Sequence, residues 1–143
     1  MIGANEQERL RAAGISVGTA GPSGWTEFVA ANGNPCASYD AESGVVVATC
    51  QVVHAPRARV VDGAENEDEA VDVFIDEADD AFEAQRLPAW TAAGWELVDV
   101  EDESADRSVI FVFATLERGC ATPAEVCDAV LFAAAHEADV IDL

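Results

Sequence analysis

Lysine is missing from this chain of 143 residues, and its seven basic side chains are all arginine (positions 9, 11, 57, 59, 86, 107 and 118). Against them stand 28 acids, giving a formal net charge of −21 and a pI near 4.1. A chain so poor in positive charge repels phosphate backbones and anionic lipid, which excludes sequence-independent nucleic-acid binding and adsorption to acidic membranes. No apolar run approaches the ~20 residues of a membrane span. The first ten residues carry no basic stretch followed by an apolar one, so no secretory leader is expected and folding in the cytosol is. The four cysteines (36, 50, 120 and 127) contain no C-x-x-C pair, which removes the zinc-knuckle and dithiol signatures. Also missing are a phosphate loop, a dinucleotide fingerprint, a zincin motif and a thiol-protease pairing.

What remains is an ordinary core composition under an unusual surface. Hydrophobic residues make up 50% of the chain, and mean hydropathy is +0.10. A disordered acidic tail would have lost its valine and phenylalanine. The acids are spread along the whole chain, and together with the absent lysine they read as adaptation to molar salt. There the Debye length shrinks to about 3 Å and like charges cease to repel across a surface. The length suits one domain over residues 1–143.

Periodicity gives the element order. Residues 6–13 read as a short helix ended by Gly14, and 14–24 as a glycine-rich loop. Residues 25–32 read as a second short helix between a Ser23 cap and a Gly33 stop. Residues 36–40 and 45–53 pair as a hairpin, with a further strand proposed at 57–61. The clearest helix covers 67–85, with Val71, Phe74, Ile75, Ala78 and Phe82 in one stripe. After Leu87-Pro88 comes a single turn closed by Gly94. Residues 95–100 and 109–116 form a second hairpin joined by an acidic loop over 101–108. Its returning strand is apolar on both faces, as a strand covered on each side by helices or by another subunit would be. Thr122-Pro-Ala-Glu125 is a capping box that opens a last helix over 122–138. The fold class is α+β: a mostly antiparallel sheet of four to five strands flanked by helices, in the order α-α-β-β-(β)-α-β-β-α.

Few residues suggest chemistry. Gly14-Ile-Ser-Val-Gly18 matches G-x-S-x-G, but a nucleophile elbow needs a strand before it and a helix after it, and here a helix precedes. Five carboxylates lie within residues 99–106, without the EF-hand spacing or its glycine. His54 and Cys50 lie at one end of a strand, and no further metal ligands suggest themselves. A three-residue hairpin loop over 42–44 would set Cys36 opposite Cys50, a possible cross-strand disulfide under oxidising conditions. Arg57 and Arg59 are a local positive spot suited to bidentate carboxylate pairing, either within the chain or with an acidic copy of it. No catalytic residue, cofactor or metal is expected.

The ordering of Leu10-Arg-Ala-Ala-Gly-Ile-Ser-Val17, Asn34-Pro-Cys-Ala-Ser-Tyr39, the apolar strand 45–53, the helix 68–85 and the strands 95–100 and 109–118 resembles the small tail-terminator (tail-completion) proteins of long-tailed phages and haloarchaeal tailed viruses. The resemblance covers roughly residues 8–118 and leaves the helix from Thr122 as an added element. It implies a non-enzymatic virion protein, assembled in the host cytoplasm, that forms a hexameric ring at the head-proximal end of the tail. Its partners would be itself, the tail tube protein and the head–tail connector. Arg57, Arg59, Val109, Phe111 and Phe113 are then the expected subunit-contact residues. The same element order also suits an acidic dimeric secretion-chaperone-like domain that binds extended partner segments, or a halophile cytoplasmic protein with a ligand of another kind.

The charge balance makes one prediction. Circular dichroism at neutral pH should show full structure in molar salt and its loss on dialysis into low-salt buffer. A folded spectrum at low salt would contradict adaptation to brine.

Overall fold

A computed structural model describes residues 3–18, 25–55, 67–106, 109–136 and 138–141. The element order is α1 (Ala4–Ala12), β1 (Ser16–Val17), β2 (Trp25–Val29), β3 (Pro35–Asp40), β4 (Val45–His54), α2 (Glu67–Gln85), α3 (Leu87–Ala92), β5 (Glu96–Asp106), β6 (Val109–Gly119), α4 (Pro123–His136) and β7 (Ala138–Ile141). The class is α+β. The strands hydrogen-bond in the order β1-β2-β3-β4-β6-β5 as an antiparallel sheet, and β7 joins β4 in parallel, so the strand count exceeds the expected four to five. The chain divides into two compact units: Met1–Thr49 with Thr115–Glu137, and Cys50–Ala114 with Ala138–Leu143.

In the first unit, α1 ends as the sequence suggests. Gly14 adopts φ +81°, its N–H donates to the Arg11 carbonyl at 2.9 Å, and the Ile15 N–H donates to the Leu10 carbonyl at 2.9 Å. Those two bonds and the buried Leu10 and Ile15 side chains make a complete Schellman stop. The segment expected as a helix over 25–32 is instead strand β2, paired with β3 from Trp25↔Asp40 to Val29↔Pro35 with a register shift at Phe28/Val29. Trp-Thr-Glu-Phe-Val is rich in aromatic and β-branched residues, and five residues are too few for a helical period to show. The β3–β4 register is Ser38↔Val47 to Asp40↔Val45, so the loop has four residues rather than three. Asp40 sets that turn: its Oδ1 accepts the Glu42 N–H at 3.1 Å and its Oδ2 accepts the Ser43 hydroxyl at 2.9 Å.

The capping box at α4 forms. Thr122 Oγ1 accepts the Glu125 N–H at 3.2 Å, while the Glu125 carboxylate reaches back to the Ala121 N–H at 2.8 Å. α4 packs on α1 and β3, burying Val126, Cys127, Ala129, Val130 and Ala133. The Arg9–Asp128 ion pair at 2.8 Å links the two helices at the surface, where such pairs contribute little.

In the second unit, α2 covers the expected residues, but its buried stripe is Ala70, Phe74, Ala78, Ala81 and Phe82. Val71 and Ile75, expected in the stripe, are only half-buried. α3 closes like α1. Gly94 takes φ +92°, its N–H donates to the Thr91 carbonyl at 3.1 Å, and the Trp95 N–H donates to the Trp90 carbonyl at 3.0 Å. Trp90 and Trp95 supply the apolar contact of this stop, edge to face with ring centroids 4.9 Å apart. The expected acidic loop over 101–108 is largely strand, since β5 runs to Asp106. β7 was not expected: Gln51 to His54 of β4 pair with Ala138 to Ile141. The strand proposed at 57–61 lies outside the described residues.

Gly44 closes the β3–β4 loop with φ +73°, and its carbonyl accepts the Cys120 N–H at 2.8 Å. A Cβ there would stand 3.3 Å from the Cys120 carbonyl oxygen. Gly44→Ala should therefore lower unfolding free energy by about 1–2 kcal/mol in denaturant titrations at molar salt. Gly119→Ala, which meets nothing within 4 Å, should stay within about 0.5 kcal/mol of wild type.

Candidate functional site

β6 sits between β4 and β5 in the strand order. Successive strand residues point to opposite faces, and here the two faces differ sharply. Ile110, Val112 and Ala114 are fully buried, whereas Val109, Phe111 and Phe113 on the other face are half-exposed. The Phe111 and Phe113 rings stack on that open face with centroids 6.2 Å apart and planes 18° from parallel. β4 repeats the asymmetry in the second unit: Cys50, Val52 and His54 are buried, and Gln51 and Val53 are half-exposed. Within the chain, then, one face of β6 is buried and the other stays half-open. Val98 of neighbouring β5 is 53% exposed. Of the expected contact residues, the structure brings together Phe111 and Phe113, with Val109 on the same face of the same strand. Arg57 and Arg59 lie outside the described residues.

The buried face is held by α2. His54 on β4 is fully buried, its ring meets Phe74 edge-on at 6.3 Å, and its Nε2 lies 3.3 Å from a Glu77 carboxylate oxygen. Its Nδ1 has no hydrogen-bond partner among the described residues. This is a hydrogen-bonded core histidine rather than a ligand beside Cys50. Among the described residues, no group of three or more His, Cys, Asp and Glu gathers as a metal site would require.

The cysteines are all buried thiols. The hairpin register places Thr49, not Cys50, opposite Cys36 when carried along the ladder from Ser38↔Val47. The possible Cys36–Cys50 cross-strand pair therefore rests on a loop one residue too short. Cys36 Sγ instead approaches the Phe28 carbonyl at 3.5 Å. Burial pushes the Cys120 and Cys127 thiols above their ordinary pKa, which makes them poor nucleophiles. Ser16 of the G-x-S-x-G match is exposed on the two-residue β1, paired with Val29 and preceded by a helix. The elbow has its elements in the reverse order.

One constellation was not visible in the sequence. Asp79 of α2 and Asp102 of β5 face each other. Burial first, then a hydrogen bond with Asp102 and repulsion from Asp102, Asp76 and Glu83, raise the Asp79 pKa from the ordinary carboxylate range to about 7. The sequence pattern places residue 102 in a loop, which gives it no direction toward the helix. What these groups offer together is contact and charge: an apolar half-open strand face on one side of the sheet, and a helix seated by two carboxylate contacts on the other. Comparison with known protein families, with curated sequences and with solved structures returned no match at any of the three levels.

Proposed function

We propose that the chain is a non-enzymatic structural protein of a halophilic tailed virus, resembling the tail terminators that form a ring on the tail tube and dock it to the head connector. The observation that carries the reading is the half-open apolar face of β6, with Phe111 and Phe113 stacked on it. A monomer gains nothing from leaving two phenylalanines and a valine half in water beside a fully buried face. Covering apolar surface contributes about 25 cal/mol per Å². A neighbouring subunit laid on Val109, Phe111 and Phe113 would supply that cover, and a heterologous contact of this kind closes into a ring when its rotation does. Arg57 and Arg59 are the remaining contact candidates, as cations able to meet a neighbour's carboxylates. With −21 on every copy, association requires screening, so ring formation and folding depend on the same molar salt. The work of such a protein is surface complementarity: one ring face matches the last tube ring, and the other accepts no further tube subunits.

A second reading has its own observation. β5 ends the strand order and is 11 residues long, which suits a chaperone-like dimer that adds an extended partner segment to a sheet edge.

Mass measurement in molar salt separates the two. The terminator reading expects assemblies near six times 15.0 kDa, alone or on tail tube, and control of tube length in a reconstituted assembly. The chaperone reading expects twice the chain mass. Phe111→Asp and Phe113→Asp should abolish the large species while leaving the monomer's circular dichroism intact, because neither ring belongs to the buried face. A strict monomer that neither binds nor stops tube would overturn the first reading, and so would Phe111→Asp assembling like wild type.

A further inference from the structure

In the first unit, β1 runs back along α1 and a cleft opens between them. Gly14, with φ +81°, ends the helix and reverses the chain, and Ile15, Ser16 and Val17 then form one wall. The other wall is Gln7 and Arg11, four residues apart and so neighbours on a single helix face. The volume is about 300 Å³, at the lower end of the range of small-molecule sites (about 300–1,000 Å³). In a chain with 28 acids, the lining of this cleft is Gln7, Arg11, Ile15, Ser16 and Val17, without a carboxylate among the described residues. Gln7, Arg11 and Ser16 are exposed. None of their side chains has a hydrogen-bond or ion-pair partner among the described residues. The backbone adds another donor. The Ile15 N–H donates to the Leu10 carbonyl of α1, and the Gly18 N–H donates to the Glu27 carbonyl of β2. Amides along a strand alternate between its two edges, so the Val17 N–H leaves β1 on the α1 side. β1 ends the strand order, and no strand pairs with that amide there. Apolar surface lies beside these donors, from Ile15, which is 4% exposed, and from Val17.

We propose that this cleft is a receptor for a single carboxylate group. Arg11 holds the carboxylate through its forked N–H donors, Gln7, Ser16 and the Val17 amide satisfy the remaining lone pairs, and the short carbon chain that carries the group lies on Ile15 and Val17. A guanidinium meets a planar carboxylate with two parallel hydrogen bonds, a match that a spherical chloride ion cannot make. The cleft therefore selects a carboxylate even in molar chloride, where the attraction of a bare cation is screened. The repulsion that a net charge of −21 exerts on any anion is screened under the same conditions. The group belongs to a small free acid or to an acidic side chain of another chain, and the chemistry of recognition is the same for both. The cleft lies apart from the β6 face, and its binding requires no ring.

Amide-resolved NMR of the full chain in molar sodium chloride tests this, with sodium butyrate as the probe. The Ser16 and Val17 amide signals and the Arg11 guanidinium signal should move and saturate. Butyramide, of the same shape without the charge, should leave them in place. Arg11→Gln should weaken butyrate binding about tenfold or more. Arg11→Lys, which keeps the charge and loses the fork, should weaken it as well. Arg118→Gln removes the same charge outside the cleft and should bind like wild type, which separates the site from the effect of net charge. Should substitution at 11 disturb the fold, Gln7→Ala gives the same reading through a few-fold loss. Acetylated, amidated glutamate, which presents an acidic side chain as a protein does, is titrated in parallel. Tighter binding of butyrate assigns the cleft to free acids, and tighter binding of the glutamate derivative assigns it to another chain. Shifts that rise without saturating, a butyramide response equal to that of butyrate, or Arg11→Gln binding like wild type would overturn the receptor.

Discussion

The unequal covering of β4 and β6 is the constraint on which the rest depends. Over β4 and over residues 109–116 of β6, every second residue is buried and the residues between are half-open or exposed, and a slip of one residue in either would exchange the two sets. On the buried side of the second unit, Phe74 and Phe82 of α2 and Ile110 and Val112 of β6 are essentially without solvent contact. Small side chains (Ala78 and Ala81 on the helix, Ala114 on the strand) let helix and sheet approach closely. Burial of this alternating set is what a slipped register would lose. The same register fixes Phe111 and Phe113 on the other side, so the open apolar face is a necessary companion of the core.

The acids keep away from the buried face, with two instructive exceptions. Glu77 and Asp79 flank the apolar stripe of α2: Glu77 meets the buried His54 of β4, and Asp79 lies beside the exposed Asp102 of β5. An imidazole nitrogen and a carboxylate are complementary, whereas a second carboxylate beside the first raises its pKa. Elsewhere in the first unit, Arg9 and Asp128 meet fully at the surface, where hydration makes their attraction a minor contribution to stability.

Much of this was legible in the residues, and the reasons are local. Gly14 and Gly94 announce helix ends because a left-handed residue must follow the last turn there, and Thr122 with Glu125 announces a start because two orphan amides need oxygen partners. α2 is long enough for its period to show, though Ala70 and Ala81 rather than Val71 and Ile75 complete the buried stripe. Legibility fails where an element owes its form to distant partners. β2 is five residues long, and only pairing with β3 makes it a strand. The polar run at the end of β5 carries no alternating pattern, since its acids at 101, 102 and 103 are all exposed, and hydrogen bonds to β6 extend it. β7 is four residues joined in parallel to a strand over eighty positions earlier, a pairing no window along the sequence can contain. The acid–acid contact fails with β5, because a residue assigned to a loop has no face. The Cys36–Cys50 pairing fails by one residue of loop length.

Open face and acidic edge impose different demands on a partner. A sheet edge carries unpaired backbone groups and invites another strand. In β5 that edge carries exposed Glu96, Asp99, Glu101, Asp102 and Glu103, so a second copy of this chain, itself at −21, is repelled from it at any salt that leaves charge unscreened. The Val109-Phe111-Phe113 face carries no charge in that row, and its contribution to association is apolar area, which strong salt sustains or increases depending on the ion. At low salt, charge keeps a second copy from the edge; in molar salt that repulsion is screened, and the apolar face still offers area to cover. Only a segment with cationic side chains would find the edge the better site, and such a segment cannot come from a chain without lysine unless it brings its few arginines together. The two readings proposed above thus differ physically in which of these two surfaces is occupied.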